Sequence, residues 1–224
     1  MLDHLGTTVS GGGSHYDITH LKSFIHTLTA AGDNGMDIRV RVSFSCHVFS
    51  QKAAHNAAFD FVDQNGSPRI FCPERYGKCL TLPEGVRELF DQNGITWEMK
   101  DHNEIENMAA LAHDPALRIL KGVYDVILYY FYPSDSGYFE IEMNVLTCHE
   151  RAVNTENRHK LDMKEAVRTC YFSNERMPMT KEKRLQLAQI KAAENRAKKA
   201  AKREKRKAKK GALNDERLPN GSLS

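Results

Sequence analysis

Only one tryptophan and five cysteines occur in the 224 residues, and no two cysteines form a C-x-x-C pair. An odd set of thiols without that spacing argues against a disulfide scaffold and against a zinc knuckle. Reduced thiols in a cytoplasmic compartment are therefore expected. Long apolar runs are missing too. The longest, Val126–Tyr132, has seven residues, against the roughly 20 that span a bilayer. Met1-Leu2-Asp3-His4 has neither a basic nor an apolar leader character, so neither export nor membrane insertion is expected. No phosphate loop, nucleophile elbow, H-E-x-x-H or dinucleotide fingerprint is present. A strand-helix-strand rhythm with glycine-rich turns is also absent, which excludes a doubly wound nucleotide-binding sheet. No cofactor is expected.

What the chain does have is charge of both signs, unevenly placed. The formal net charge is +3, yet Lys181–Lys210 holds 14 basic and three acidic residues, while residues 1–180 hold 17 basic and 24 acidic. An acidic body carries a strongly basic tail. Thr180 is a good N-cap, the following residues are mostly Ala, Lys, Arg, Glu and Gln, and Gly211 stands where a C-cap belongs. The spacing predicts a basic helix over 180–211 and a disordered end over 212–224. Its bulky apolar residues, Leu185, Leu187 and Ile190, lie in the first third. Beyond them Lys198, Lys202, Arg206 and Lys210 stack in one i,i+4 row, and Lys199, Arg203 and Lys207 in another. Each like-charged pair destabilises an isolated helix by a few tenths of a kcal/mol, a cost that an anionic partner relieves. With Arg196, Lys205 and Lys209 these residues make a phosphate-binding surface. The lack of aromatic residues points to the backbone of nucleic acid, RNA before DNA, rather than to its bases. An acidic protein is the other partner that this charge fits. A membrane-lying helix lacks its opposing apolar face.

The body, residues 16–179, reads as α+β: one antiparallel sheet with a long hairpin, packed on helices. Residues 1–15 end in Gly11-Gly12-Gly13-Ser14 and read as a flexible segment. Ile18, Leu21, Ile25 and Leu28 recur at helical spacing after Asp17, predicting a helix there, with His20 and His26 turned to solvent. Strict alternation over Asp37–Ser50 predicts a half-buried strand, with Ile38, Val40, Val42, Phe44, Cys46 and Val48 inward. Arg69–Cys72 and Leu80–Leu82 read as short strands about a Pro73–Gly77 turn. Glu84–Gln92 reads as a helix, Ile95–Met99 as a strand, Glu104–His113 as a helix ending before Pro115, and Lys160–Tyr171 as a helix. Val123–Tyr132 and Tyr138–His149 flank a Pro-Ser-Asp-Ser-Gly loop, the pattern of a long hairpin. In broad architecture that region resembles small ribonuclease and toxin-like α+β folds.

Candidate chemistry sits on the polar side of the alternating strand. Arg39, Arg41, Ser43, Ser45 and His47 follow one another about 7 Å apart and offer cations, hydroxyls and an imidazole to phosphates. His47 is the natural general acid or base, titrating near neutrality. Arg75 and Tyr76, in the Pro73–Gly77 segment, add a phosphate-stabilising cation and a phenol. His149 joins them if its strand lies beside Asp37–Ser50. Together they make the parts of a metal-independent ribonuclease. A non-enzymatic protein-interaction module is the alternative reading of the body. No metal is expected: Cys46-His47 with Cys72 and Cys79 lacks zinc spacing, and Cys46 falls on the apolar face of the strand.

Overall fold

The computed structural model describes residues 2, 5–101, 104–111, 121–156 and 158–215. The chain divides into two units, residues 1–179 and 180–224. The order of elements in the first is β1 (Thr8–Gly11), β2 (Ser14–Asp17), β3 (Phe24–Leu28), β4 (Ile38–Phe44), β5 (Ser50–Lys52), β6 (Phe61–Val62), β7 (Pro68–Phe71), α1 (Pro73–Cys79), α2 (Leu82–Asp91), β8 (Ile95–Asp101), β9 (Glu104–Ala110), β10 (Lys121–Pro133), β11 (Ile141–Asn154), β12 (Lys160–Asp162) and α3 (Met163–Ser173). The second unit contains α4 (Lys181–Asp215). The fold is α+β, and no helix among the described residues is long and apolar enough to cross a membrane.

A seven-stranded sheet runs in the order β12-β8-β9-β10-β11-β4-β3. Its backbone is the β10–β11 hairpin, 13 and 14 residues long, with one register shift at Leu128/Tyr129. Every pairing in this sheet is antiparallel except one. β4 lies parallel to β11, Val40 beside Ile141 and Phe44 beside Val145, which corrects the purely antiparallel sheet expected from the alternation. One sheet face packs Val42, Phe44, Ile127, Phe131 and Met143 against Val86 and Phe90 of α2 and Met163 and Val167 of α3. Burial of each such side chain contributes about 1.5–3 kcal/mol. Trp97, Met99, Met108, Val126 and Leu128 form a second cluster on the other face.

Several expectations fail for identifiable reasons. Ile18–Leu28 is not a helix: a 3-10 turn over Thr19–Leu21 buries Ile18 and Leu21, and β3 follows. In β3 the inward set is Phe24, His26 and Leu28 with period two, and Ile25 is exposed. His26 therefore stacks on Phe90 instead of facing solvent, and His20 reaches Cys79 Sγ at 3.4 Å. The helix expected over Glu104–His113 is a strand over Glu104–Ala110, because β9 is claimed by β8 on one side and β10 on the other, overriding the helical propensity of its Glu, Met and Ala residues; 112 and 113 lie outside the described residues. Pro73–Gly77 is not a turn between strands: Pro73 opens α1, and Pro83 stands in the first turn of α2. Each occupies the first turn of a helix, where its missing N–H has no cost, so Leu80–Leu82 is not a strand. α3 starts where Asp162 accepts from the Glu165 N–H at 2.7 Å, with β12 immediately before it.

The expected flexible entry segment is ordered as the β1–β2 hairpin, with Gly12 and Gly13 at positive φ in its turn. Gly11 lies flat against Phe71: a Cβ there would stand 2.3 Å from the Phe71 Cβ. Gly11→Ala should therefore cost about 1–3 kcal/mol by overpacking. Urea denaturation of the variant checks this; an unchanged midpoint would show that the hairpin does not dock on Phe71.

Candidate functional site

β4 leaves the main sheet at Ser45, whose N–H still donates to the Val145 carbonyl of β11 at 2.9 Å. Ser45 Oγ then accepts from the His47 N–H at 3.3 Å and starts a single 3-10 turn, Cys46–Val48. The turn breaks the alternation. Cys46 points into the core, while His47 keeps 40% of its side chain exposed. Ser50 then begins β5 in a separate three-stranded sheet, ordered β5-β7-β6.

Two buried charged residues meet this bend. Asp63 closes the turn after β6, its Oδ1 accepting from the Asn65 and Ser67 N–H groups at 2.9 Å each. Its other oxygen, Oδ2, faces His47 Nε2 at 3.5 Å. Arg69 on β7, only 6% exposed, donates from Nε to Ser50 Oγ and from Nη2 to the Ser50 carbonyl, at 3.1 and 3.2 Å. Ser50 Oγ in turn donates to the Cys46 carbonyl at 2.7 Å. Arg75, on α1, donates to the carbonyls of His47 and Ser50 at 3.2 and 2.8 Å. Two guanidiniums and a hydroxyl thus satisfy the carbonyls of the bend and fix its shape.

Burial, reinforced by the Arg69 guanidinium, holds the His47 imidazole below its ordinary value of 6.5 and so favours the neutral ring. Burial pushes Asp63 upward, but the Ser67 and Asn65 N–H groups and His47 outweigh it, leaving Asp63 below the usual carboxylate value. Burial raises the Cys46 thiol, against the nearby Arg69 charge. Burial also lowers Arg69, though a guanidinium stays charged at any working pH.

The residues singled out from the sequence are distributed as follows. His47 and Arg75 do come together, through the His47 carbonyl. Tyr76 OH donates to the Asp17 carbonyl at 2.8 Å, and its ring packs with Tyr16 and Phe71. The strand of His149 is indeed beside β4, but only over 141–145; His149 lies further along, opposite Val126, with Nδ1 3.3 Å from Thr147 Oγ1. On the row of β4, Arg39 is paired with Glu140 at 2.7 Å, Ser43 donates to Glu142, and Arg41 lies over the Phe139 ring with Nη2 on Ser23 Oγ. Asp63 and Arg69 escaped the sequence reading. The signal for Arg69 was its period-two partnership with Phe71, also buried; for Asp63 it was the Asp-Gln-Asn-Gly-Ser turn pattern.

In the second unit Thr180 caps α4, its Oγ1 accepting from the Lys183 N–H at 3.3 Å. The helix has 35 residues, about 50 Å of length at 1.5 Å per residue. It runs through Gly211 to Asp215, so Gly211 is not its C-cap and residues 212–215 are helical; 216–224 lie outside the described residues. Arg196, Lys198, Lys199 and Lys202 are exposed, while the side chains of Arg203, Lys205, Arg206, Lys207, Lys209 and Lys210 lie outside the described residues.

The packing of the bend predicts that Arg69→Met destabilises the protein by about 3 kcal/mol, because Ser50 loses two charge-assisted hydrogen bonds and the buried Asp63 carboxylate loses a neighbouring positive charge. Arg69→Lys should recover only part of this, since an ammonium cannot reproduce the two-pronged contact with Ser50. Chemical denaturation measures both; a loss below about 1 kcal/mol in Arg69→Met would mean that the bend does not depend on the guanidinium.

No curated protein and no solved structure matches this chain. Residues 7–191 match the YjaZ family, a segment that takes in the whole body and the first third of α4 but stops before Arg196. The chain belongs to the YjaZ family.

Proposed function

We propose that the protein associates with nucleic acid, RNA in the first place, by laying α4 along the phosphate backbone. The observation that carries this reading is a single helix of 35 residues whose exposed Arg196, Lys198, Lys199 and Lys202 begin a stretch of stacked like charges. Such a helix repels itself and is stabilised by a polyanion, with counterion release as the driving term. This stretch lies beyond the residues that match the family, so the reading assigns RNA association to the tail and leaves the body to a separate task. Five free thiols suit a reducing, cytoplasmic setting for that association.

Fluorescence anisotropy with single-stranded RNA and duplex DNA, over a salt series, tests the reading in the full chain. If six to ten basic residues engage, log K against log salt falls with a slope of about −4 to −7 on the single strand. Replacing Lys198, Lys199, Lys202 and Arg206 with Gln should weaken binding uniformly across sequences and flatten the slope. Binding that ignores salt or these substitutions overturns the proposal. Equal competition by polyglutamate does so as well, assigning the helix to acidic proteins instead.

A further inference from the structure

The body holds a group of donors that the tail does not explain. An imidazole nitrogen of His47, Cys46 Sγ and a carboxylate oxygen of Asp63 all lie within 4.8 Å of one another. We propose that these three residues form an open, three-ligand site for a zinc-class divalent cation, with its fourth position toward solvent beside His47. This inference is independent of the nucleic-acid reading.

The geometry supports it first. His47 Nε2 and Asp63 Oδ2 stand 3.5 Å apart. That is long for a charge-assisted hydrogen bond, which contracts to about 2.7–2.9 Å. It is close to the ligand-to-ligand edge of a zinc tetrahedron, about 3.4 Å for bonds of about 2.0–2.1 Å. The carboxylate is also held as a metal ligand is held. Asp63 Oδ1 is fixed by two backbone N–H groups while Oδ2 remains turned to His47. The partial exposure of His47 gives an approach for the ion and a fourth ligand.

Donor type and charge then narrow the ion. A thiolate, an imidazole and one carboxylate suit zinc or cobalt and not magnesium or calcium, which take oxygen ligands. Metal binding displaces the Cys46 proton, so the thiolate and the Asp63 carboxylate neutralise a divalent ion, and Arg69 leaves one positive charge beside the site. Arg75, bonded to the His47 carbonyl, adds to it. The fourth ligand is therefore an anion: hydroxide, carboxylate or phosphate. The sequence pattern concealed this arrangement because the ligands are adjacent at 46 and 47 and the third comes from the turn at 63. The C-x-x-C spacing of a zinc knuckle plays no part.

The test uses full-length protein kept reduced, loaded with zinc or cobalt and dialysed. One metal per chain is expected, and the cobalt form should show the intense visible bands of a tetrahedral site and a thiolate-to-cobalt charge-transfer band. Cys46→Ser should abolish that band, and His47→Ala and Asp63→Asn should each weaken affinity by more than about tenfold. Asp63→Asn keeps an Oδ1 acceptor for Asn65 and Ser67, so it retains the turn while losing the anionic ligand. Cys72→Ser should leave binding intact. Absence of stoichiometric metal overturns the proposal, as does a charge-transfer band that survives Cys46→Ser or is lost in Cys72→Ser.

Discussion

The body depends on where β4 parts from β11. For five residues the two strands run parallel, and their ladder ends with the Ser45 N–H on the Val145 carbonyl. β11 continues for nine more residues beside β10, whereas the chain from β4 turns away at Cys46. Everything at the candidate site follows from that parting. The turn exposes His47 and buries Cys46, and it places the Ser50 carbonyl where Arg69 and Arg75 converge. A strand that had continued to Ser50 in the main sheet would have carried His47 along the row of Arg39 and Ser43, away from Asp63.

The features visible in the sequence are those in which local pattern and tertiary partner agree. The alternation of Ile38, Val40, Val42 and Phe44, the apolar run of β10 with its turn residues, and the apolar face of α2 each point to what forms. The misread segments are those in which two patterns were available and a distant neighbour chose between them. Ile18, Leu21, Ile25 and Leu28 satisfy a helix, but the edge of β4 takes Phe24–Leu28 as a strand. The residues of β9 favour a helix, but β8 and β10 leave a gap that only a strand fills. Asp63 and Arg69 were hidden for a related reason: each reads locally as a turn or strand residue. Their role appears only when the 46–50 bend is brought over them.

Charge separates the molecule into two chemical parts. In the body Arg39 of the β4 row is paired with Glu140, and the Ser43 hydroxyl donates to Glu142. Along α4 the sequence beyond Ile190 gathers Lys and Arg, for which an external polyanion is the proposed complement. The unit proposed to bind a polyanion and the unit that gathers Cys46, His47 and Asp63 therefore answer to different physics, and loss of one need not affect the other.

The central claim is that Asp63, Arg69 and the 46–50 bend act as one packed unit. A double-mutant cycle between Asp63→Asn and Arg69→Met, read by urea denaturation at neutral pH, tests it most directly. Coupling of about 0.5–3 kcal/mol is the result predicted for residues sharing one network. Additivity to within about 0.3–0.5 kcal/mol would contradict it.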